Sequence, residues 1–239
     1  LPARSEMCIR DSIDSMNSLP IENVLQDLTK GYVSIIIVMS QKFDNKELNY
    51  NYLTNDQIKR LENILLPNDR KNFLISHSIV NLFYCSINNC EVINLKYIYS
   101  QYQKPYIDNE YNIQFNISHT MGCNVVAFSQ NASIGIDVEY KDRDIDFLDI
   151  INKYFTIFEK NYIKQQSTRF FECWVAKEAY LKCMGCGLIN GLINTEIDII
   201  DSNHFQIINK NSHKTHVIRI EHINNTHVMG VTSMEVKNE

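Results

Sequence analysis

The order of elements constrains this chain more than any single residue does: a strand, then helices, then strands, and the same order a second time. Residues 33–39 read as a buried strand, and 54–66 as a helix capped by Thr54, because Ile58, Leu61 and Leu65 recur at helical spacing. After Pro67 a longer helix is expected to about residue 88, capped by Asp69, with Phe73, Ile75, Ile79, Val80, Leu82 and Phe83 on its apolar side. Strand-like runs follow near 95–100, 113–118 and 123–129. A strand over 134–139 opens the second half, with helices near 144–165 and 168–184 and strands near 194–200, 204–209, 214–221 and 226–235. The expected fold is therefore α+β, with one half over 13–132 and a second over 133–239. No Pro/Gly-rich linker divides them, so they should share an interface, and the cleft between them is where a ligand would sit.

Composition excludes several classes. Of the 239 residues 44% are hydrophobic and 21% charged, which suits a packed core and not a disordered chain. Net charge is -5 and the 23 lysines and arginines are scattered, so no basic stripe marks a nucleic-acid partner. Seven cysteines without framework spacing, among them Cys183 and Cys186 with no second ligand pair, read as reduced thiols of a cytoplasmic protein. The longest apolar run, 32–39, falls far short of the roughly 20 residues that cross a bilayer, and no membrane partner or oligomer is expected. Residues 1–12 differ in texture from the Asn/Ile/Lys-rich remainder and read as a non-native N-terminal segment, to be left out of the fold.

Three segments carry candidate chemistry. In 134–139 strand alternation puts Ile134, Ile136 and Val138 on one face and Gly135, Asp137 and Glu139 on the other, so two carboxylates point the same way about 7 Å apart at Cα. A solvated sheet face explains the acids equally well; Gly135, which leaves room for something to approach, favours a site. Along 170–182 the helix sets Trp174, Glu178 and Lys182 four apart. An i,i+4 salt bridge would account for the pair, but the helix is apolar nearly all round, and buried charges such as Lys177, Glu178 and Lys182 need partners or a task. At 115–119 a strand ends in Ser118 and His119, both able to donate to phosphate oxygens; as a hydrolase dyad they fail, since adjacent strand residues face opposite ways.

Taken in order, N-I-S-H at 116–119, G-I-D-V-E at 135–139 and W-V-A-K-E-A-Y-L-K at 174–182 resemble the signature set of surfactin-type 4'-phosphopantetheinyl transferases. Leu53–Asp56, 69–77, Lys104-Pro105 and 155–159 resemble the family's flanking segments, so the likeness runs from about residue 33 to the C-terminus. It implies two similar α/β halves related by a pseudo-twofold axis, with coenzyme A between them. It further implies transfer of phosphopantetheine from coenzyme A to a serine of an acyl or peptidyl carrier protein, with magnesium as cofactor. Asp137, Glu139 and Glu178 would be the metal ligands, which suits a hard cation with oxygen donors. Lys182 would contact the pyrophosphate, Ser118 and His119 the nucleotide phosphates, with Lys177 a second candidate; Lys104 and Pro105 would line the adenine pocket. Glu178 is the first choice for accepting the serine proton and Glu159 the second. Two positions depart from the family pattern: Gln103 stands where the family carries Gly in G-K-P, and His77 where many members carry Arg for the 3'-phosphate, with Arg60 and Arg70 as further basic candidates. The competing readings are a catalytically silent coenzyme A-binding or carrier-docking module and a metal-dependent phosphohydrolase.

Overall fold

The computed structural model of the chain describes residues 7–10, 13–43, 48–143, 146–164 and 166–235, with only the backbone of 188–190. The first half runs β1 (Met7–Arg10), α1 (Ile21–Thr29), β2 (Val33–Met39), α2 (Asn55–Glu62), α3 (Pro67–Asn88), a short hairpin of β3 (Tyr97–Tyr99) and β4 (Pro105–Ile107), β5 (Ile113–Thr120) and β6 (Cys123–Gln130). The second runs β7 (Ala132–Tyr140), α4 (Leu148–Tyr154), α5 (Ile157–Ile163), α6 (Ser167–Met184), α7 (Leu188–Ile193), β8 (Thr195–Ile199), β9 (His204–Asn209), β10 (Thr215–Ile223) and β11 (His227–Glu235). The sheets are ordered β1-β2-β6-β5 and β7-β11-β10-β9-β8. In each half the strand preceding the helices pairs antiparallel with the half's last strand, which pairs antiparallel with the one before it. The two halves thus share one order of strand pairing.

β2 shows why its sequence is an apolar run and not an alternation. Ile36 and Val38 face one way, into a core with Val24 and Leu28 of α1 and Ile75, Ile79 and Phe83 of α3. Val33, Ile35 and Ile37 face the other way, into an apolar layer with Val125 and Ala127 of β6, Ile134, Ile136 and Val138 of β7, and Met229 and Val231 of β11. A strand buried on both faces has no place for a polar stripe. The two sheets thus pack on each other, with α3 outside the first and α6 outside the second.

Along one margin the halves are also joined by a polar seam. The N–H groups of Ile136, Val138 and Tyr140 on β7 donate to side-chain oxygens of Asn116 (2.9 Å), Ser118 (3.4 Å) and Thr120 (3.3 Å) on β5. Alternate side chains of one strand therefore satisfy the open edge of another, which would otherwise leave amides unpaired at a buried interface.

Three expectations are corrected. Within 1–12, residues 1–6 and 11–12 lie outside the described residues, but Met7–Arg10 is strand β1, parallel to β2, and Arg10 Nη2 reaches Asp27 Oδ2 at 2.6 Å. These four residues belong to the fold. The helix expected over 54–66 ends at Glu62, leaving Leu65 91% exposed, because Leu66 before Pro67 is held extended (φ -82, ψ 126). The next helix starts at Pro67, not at a cap on Asp69, since proline is preorganised for the first helical position.

Candidate active site

Two glycines determine how closely α6 lies on the second sheet. A Cβ on Gly135 would overlap the Ala179 carbonyl oxygen and the Cys183 amide nitrogen, and one on Gly230 would stand 2.6 Å from the Val175 carbonyl oxygen. The room that Gly135 leaves is therefore filled by the α6 backbone. That contact carries Glu178 and Lys182 over β7, where Asp137 and Glu139 point.

Each β7 acid there meets one cation and one hydroxyl. Lys182 Nζ lies 2.7 Å from Asp137 Oδ1 and 3.0 Å from Ser118 Oγ, and Ser118 Oγ–H donates to the same Asp137 oxygen at 2.8 Å. Arg143 pairs with Glu139 Oε2, to which Thr120 Oγ1–H donates at 3.3 Å. Asp137 Oδ2 is left buried without a hydrogen-bond partner among the described residues. Burial pushes the Glu178 carboxyl up to about 7, with Asp137 adding to the rise and Lys182 opposing it. Among the described residues no three of His, Cys, Asp and Glu close up into a metal cluster. Lys182 beside Asp137 and Arg143 beside Glu139 supply the opposite charge to these acids.

A basic corner adjoins these acids. His119 is lowered first by loss of water and then by Lys182, with Asp69 and Asp137 pulling the other way. His77 stacks on Phe73 at 3.8 Å, and its Nδ1–H donates to the Phe73 carbonyl at 3.0 Å. Burial above all, opposed by the bond to the Phe73 carbonyl and helped by Arg60 and His119, brings it down to about 4. With the proton on Nδ1, Nε2 is an acceptor at neutral pH, so His77 donates to a phosphate only once the anion has drawn a second proton onto the ring.

Other sequence candidates fall elsewhere. Lys104 Nζ donates to Ser133 Oγ (3.1 Å), Ile134 O (2.9 Å) and Cys183 O (3.2 Å), so its ammonium fastens the turn to the second half; its aliphatic stem and the Pro105 ring are what it leaves for a base. Gln103 sits at φ 64, the left-handed conformation for which glycine is suited. Lys177 and Glu159 lie away from the acids, paired with each other. Their side chains are 0% and 1% exposed and 3.0 Å apart; Lys177 also donates to Tyr154 O and Thr195 O, and Glu159 accepts from Thr156 N and Ile197 N. A pair so enclosed reaches neither phosphate nor serine; it locks α6 to α5 and β8. Lys177→Met should therefore cost about 3–5 kcal/mol in urea denaturation, since it strands a buried charge. Glu159→Gln should leave turnover per folded molecule within a few-fold of the parent, and a loss comparable to that of a general base would return Glu159 to the chemistry.

Arg143, Thr120 and Asn116 were not singled out in the sequence. Strand alternation signals Asn116 and Thr120, which share a face with Ser118. Nothing in spacing signals Arg143, which folds back from the turn after β7.

Residues 133–232 match the family model of the 4'-phosphopantetheinyl transferase superfamily. The chain is 26% identical over 144 residues to the 4'-phosphopantetheinyl transferase HetI of Nostoc sp., covering 57% of this chain and 61% of that protein. It is 33% identical over 122 residues to the 4'-phosphopantetheinyl transferase gsp of Aneurinibacillus migulanus, covering 48% of each. To the 4'-phosphopantetheinyl transferase of Bacillus subtilis it is 31% identical over 124 residues, covering 50% of this chain and 54% of the other. The matches thus span about half to three-fifths of these relatives' lengths.

Proposed function

From the match of residues 133–232 to the 4'-phosphopantetheinyl transferase superfamily, we propose that the chain is a member of it and moves the 4'-phosphopantetheine group of coenzyme A onto a serine hydroxyl of an acyl or peptidyl carrier protein. The observation that carries the reading is the meeting of Asp137, Glu178, Lys182 and Ser118 where the two halves join, with the Glu178 carboxyl raised to about 7. In the transfer, the serine oxygen forms a bond to the pyrophosphate phosphorus bearing pantetheine. The bond from that phosphorus to the bridging oxygen breaks, and adenosine 3',5'-bisphosphate leaves. Glu178 accepts the serine proton, for which a group near neutrality is suited. Lys182 stands against charge developing on the pyrophosphate, while His119, His77 and Arg60 form the basic corner for the nucleotide phosphates.

By donor chemistry a magnesium ion suits these three carboxylates, which do not close up into a cluster among the described residues of the metal-free protein. The unpartnered Oδ2 of Asp137 is a buried carboxylate oxygen with a free acceptor position, and Glu139 and Glu178 would supply further oxygens. When bound, the metal would supply charge neutralisation at the pyrophosphate. Among the described residues no helix is long and apolar enough to cross a membrane. The reading places the reaction in the cytoplasm, with a monomer acting on a separate carrier.

The test is intact-mass measurement of a panel of apo carrier proteins incubated with coenzyme A, magnesium and the chain. A carrier heavier by one phosphopantetheine group is expected. Free phosphopantetheine with unmodified carriers would replace the transferase by a hydrolase, and no turnover at all would favour a silent binding module.

A further inference from the structure

The Glu139 end of the acid pair has a cation of its own that the transfer reaction does not use. Arg143 is held at three points: its guanidinium pairs with Glu139, its Nε–H donates to the Tyr140 carbonyl at 3.3 Å, and its Cζ lies 5.5 Å from the centre of the Phe171 ring on α6. The turn that delivers it is itself anchored, since Lys141 N–H donates to Thr226 O at 2.9 Å. The pair is only part-buried, with the arginine side chain 35% and the glutamate 17% exposed, so water reaches the site and exchange of one cation for another is open. Glu139 Oε2 also accepts from Thr120, which leaves that oxygen committed to the protein's own donors.

We propose that Arg143 is a resident counter-cation that competes with the divalent metal for Glu139 and so sets the metal affinity of the site; this rests on the metal reading given above. Without a metal, Arg143 offsets the charge of Glu139, which shares a strand face with Asp137, and joins β7 to α6 through the Phe171 ring. A metal that takes Glu139 as a ligand must displace or share that guanidinium. Removing it therefore has effects of opposite sign on two observables: tighter metal binding and a less stable metal-free protein. A purely structural ion pair predicts the second without the first.

The experiment uses the full chain stripped with chelator, titrated with magnesium by calorimetry and with manganese by paramagnetic resonance of the free ion. Arg143→Ala and the better-packed Arg143→Gln should bind either ion about fivefold to thirtyfold more tightly, the range expected for losing a competing, partly exposed charge pair. Both should melt earlier in chelator. Arg143→Lys should bind close to the parent. Lys141→Ala, which removes a charge whose ammonium meets His222 Nδ1 at 3.4 Å, should change affinity by less than about twofold. In a Glu139→Gln background the Arg143 substitutions should have no further effect on affinity. Unchanged or weaker binding by both Arg143 variants, or an equal gain in Lys141→Ala, overturns the competition while leaving the metal reading standing. A parent protein that takes up neither ion overturns the metal reading and the competition with it.

Discussion

Glu178→Gln lowers turnover by on the order of a hundredfold or more and leaves the protein folded, if this carboxylate takes the serine proton. The isosteric amide keeps the shape of the side chain beside Asp137 and Lys182 but accepts no proton. Its effect on stability has a definite sign. Burial, then Asp137, raise the carboxyl from 4.5 in the unfolded chain to about 7 in the folded one. Between those values the folded state holds a proton that the unfolded state has released, so metal-free stability falls as pH rises through that window and stays low above it. The amide has nothing to titrate. In chelator, therefore, Glu178→Gln should melt above the parent at pH 8 and within error of it near pH 4. Parent turnover at limiting coenzyme A should rise with pH through an inflection near or below 7, because a bound cation pulls the carboxyl down again. Rates from time-resolved intact mass, with melting curves at the two pH values, check both parts. Near-parent turnover in the amide variant, with magnesium and coenzyme A saturating, would remove Glu178 from the proton transfer.

How far the site could be read in the sequence depended on which geometric fact each residue needed. Asp137 and Glu139 needed only the two-residue period of a strand, and alternation placed them together. Choosing between Lys177 and Glu178 needed the rotation of α6 about its axis, since neighbours on a helix point about 100° apart. That rotation is set by backbone contacts at Gly135 and Gly230, on strands that are distant in the chain. It buries Lys177 against α5 and turns Glu178 towards Asp137. Glu159 carried a local signal that reading it as a base overlooked: Thr156 and Glu159 form a capping box, each bonding the other's backbone, so the carboxylate is occupied by its own helix. Arg143 needed the path of a turn. β1 needed its pairing with β2, which four residues of unusual texture do not announce. What was legible were periods and caps; what was not were contacts between elements.

Gly135→Ala should be the most damaging small substitution in the second half. The added methyl meets the Ala179 carbonyl oxygen and the Cys183 amide nitrogen, both main-chain atoms that no rotamer change can move. Either β7 or α6 must shift, yet β7 is held on one side by β11 and on the other by the Asn116, Ser118 and Thr120 seam. The helix must therefore lift. Its buried face includes Phe171, Val175, Ala176, Ala179 and Tyr180, so lifting it opens the core, and a loss of about 3 kcal/mol or more is expected for overpacking that cannot relax locally. Lifting also draws Glu178 and Lys182 away from Asp137, so turnover per folded molecule should drop as well, a second loss that simple destabilisation does not produce. Gly31→Ala is the matched comparison. Gly31 sits at φ 80 with nothing within 4 Å of an added methyl, so it carries only the left-handed backbone cost of about 1–2 kcal/mol and no loss of turnover. Urea denaturation of the two variants, with rates measured well below each midpoint, separates them. A Gly135→Ala protein no less stable than Gly31→Ala, and as active as the parent, would mean that α6 does not rest on β7 as closely as the two glycines indicate.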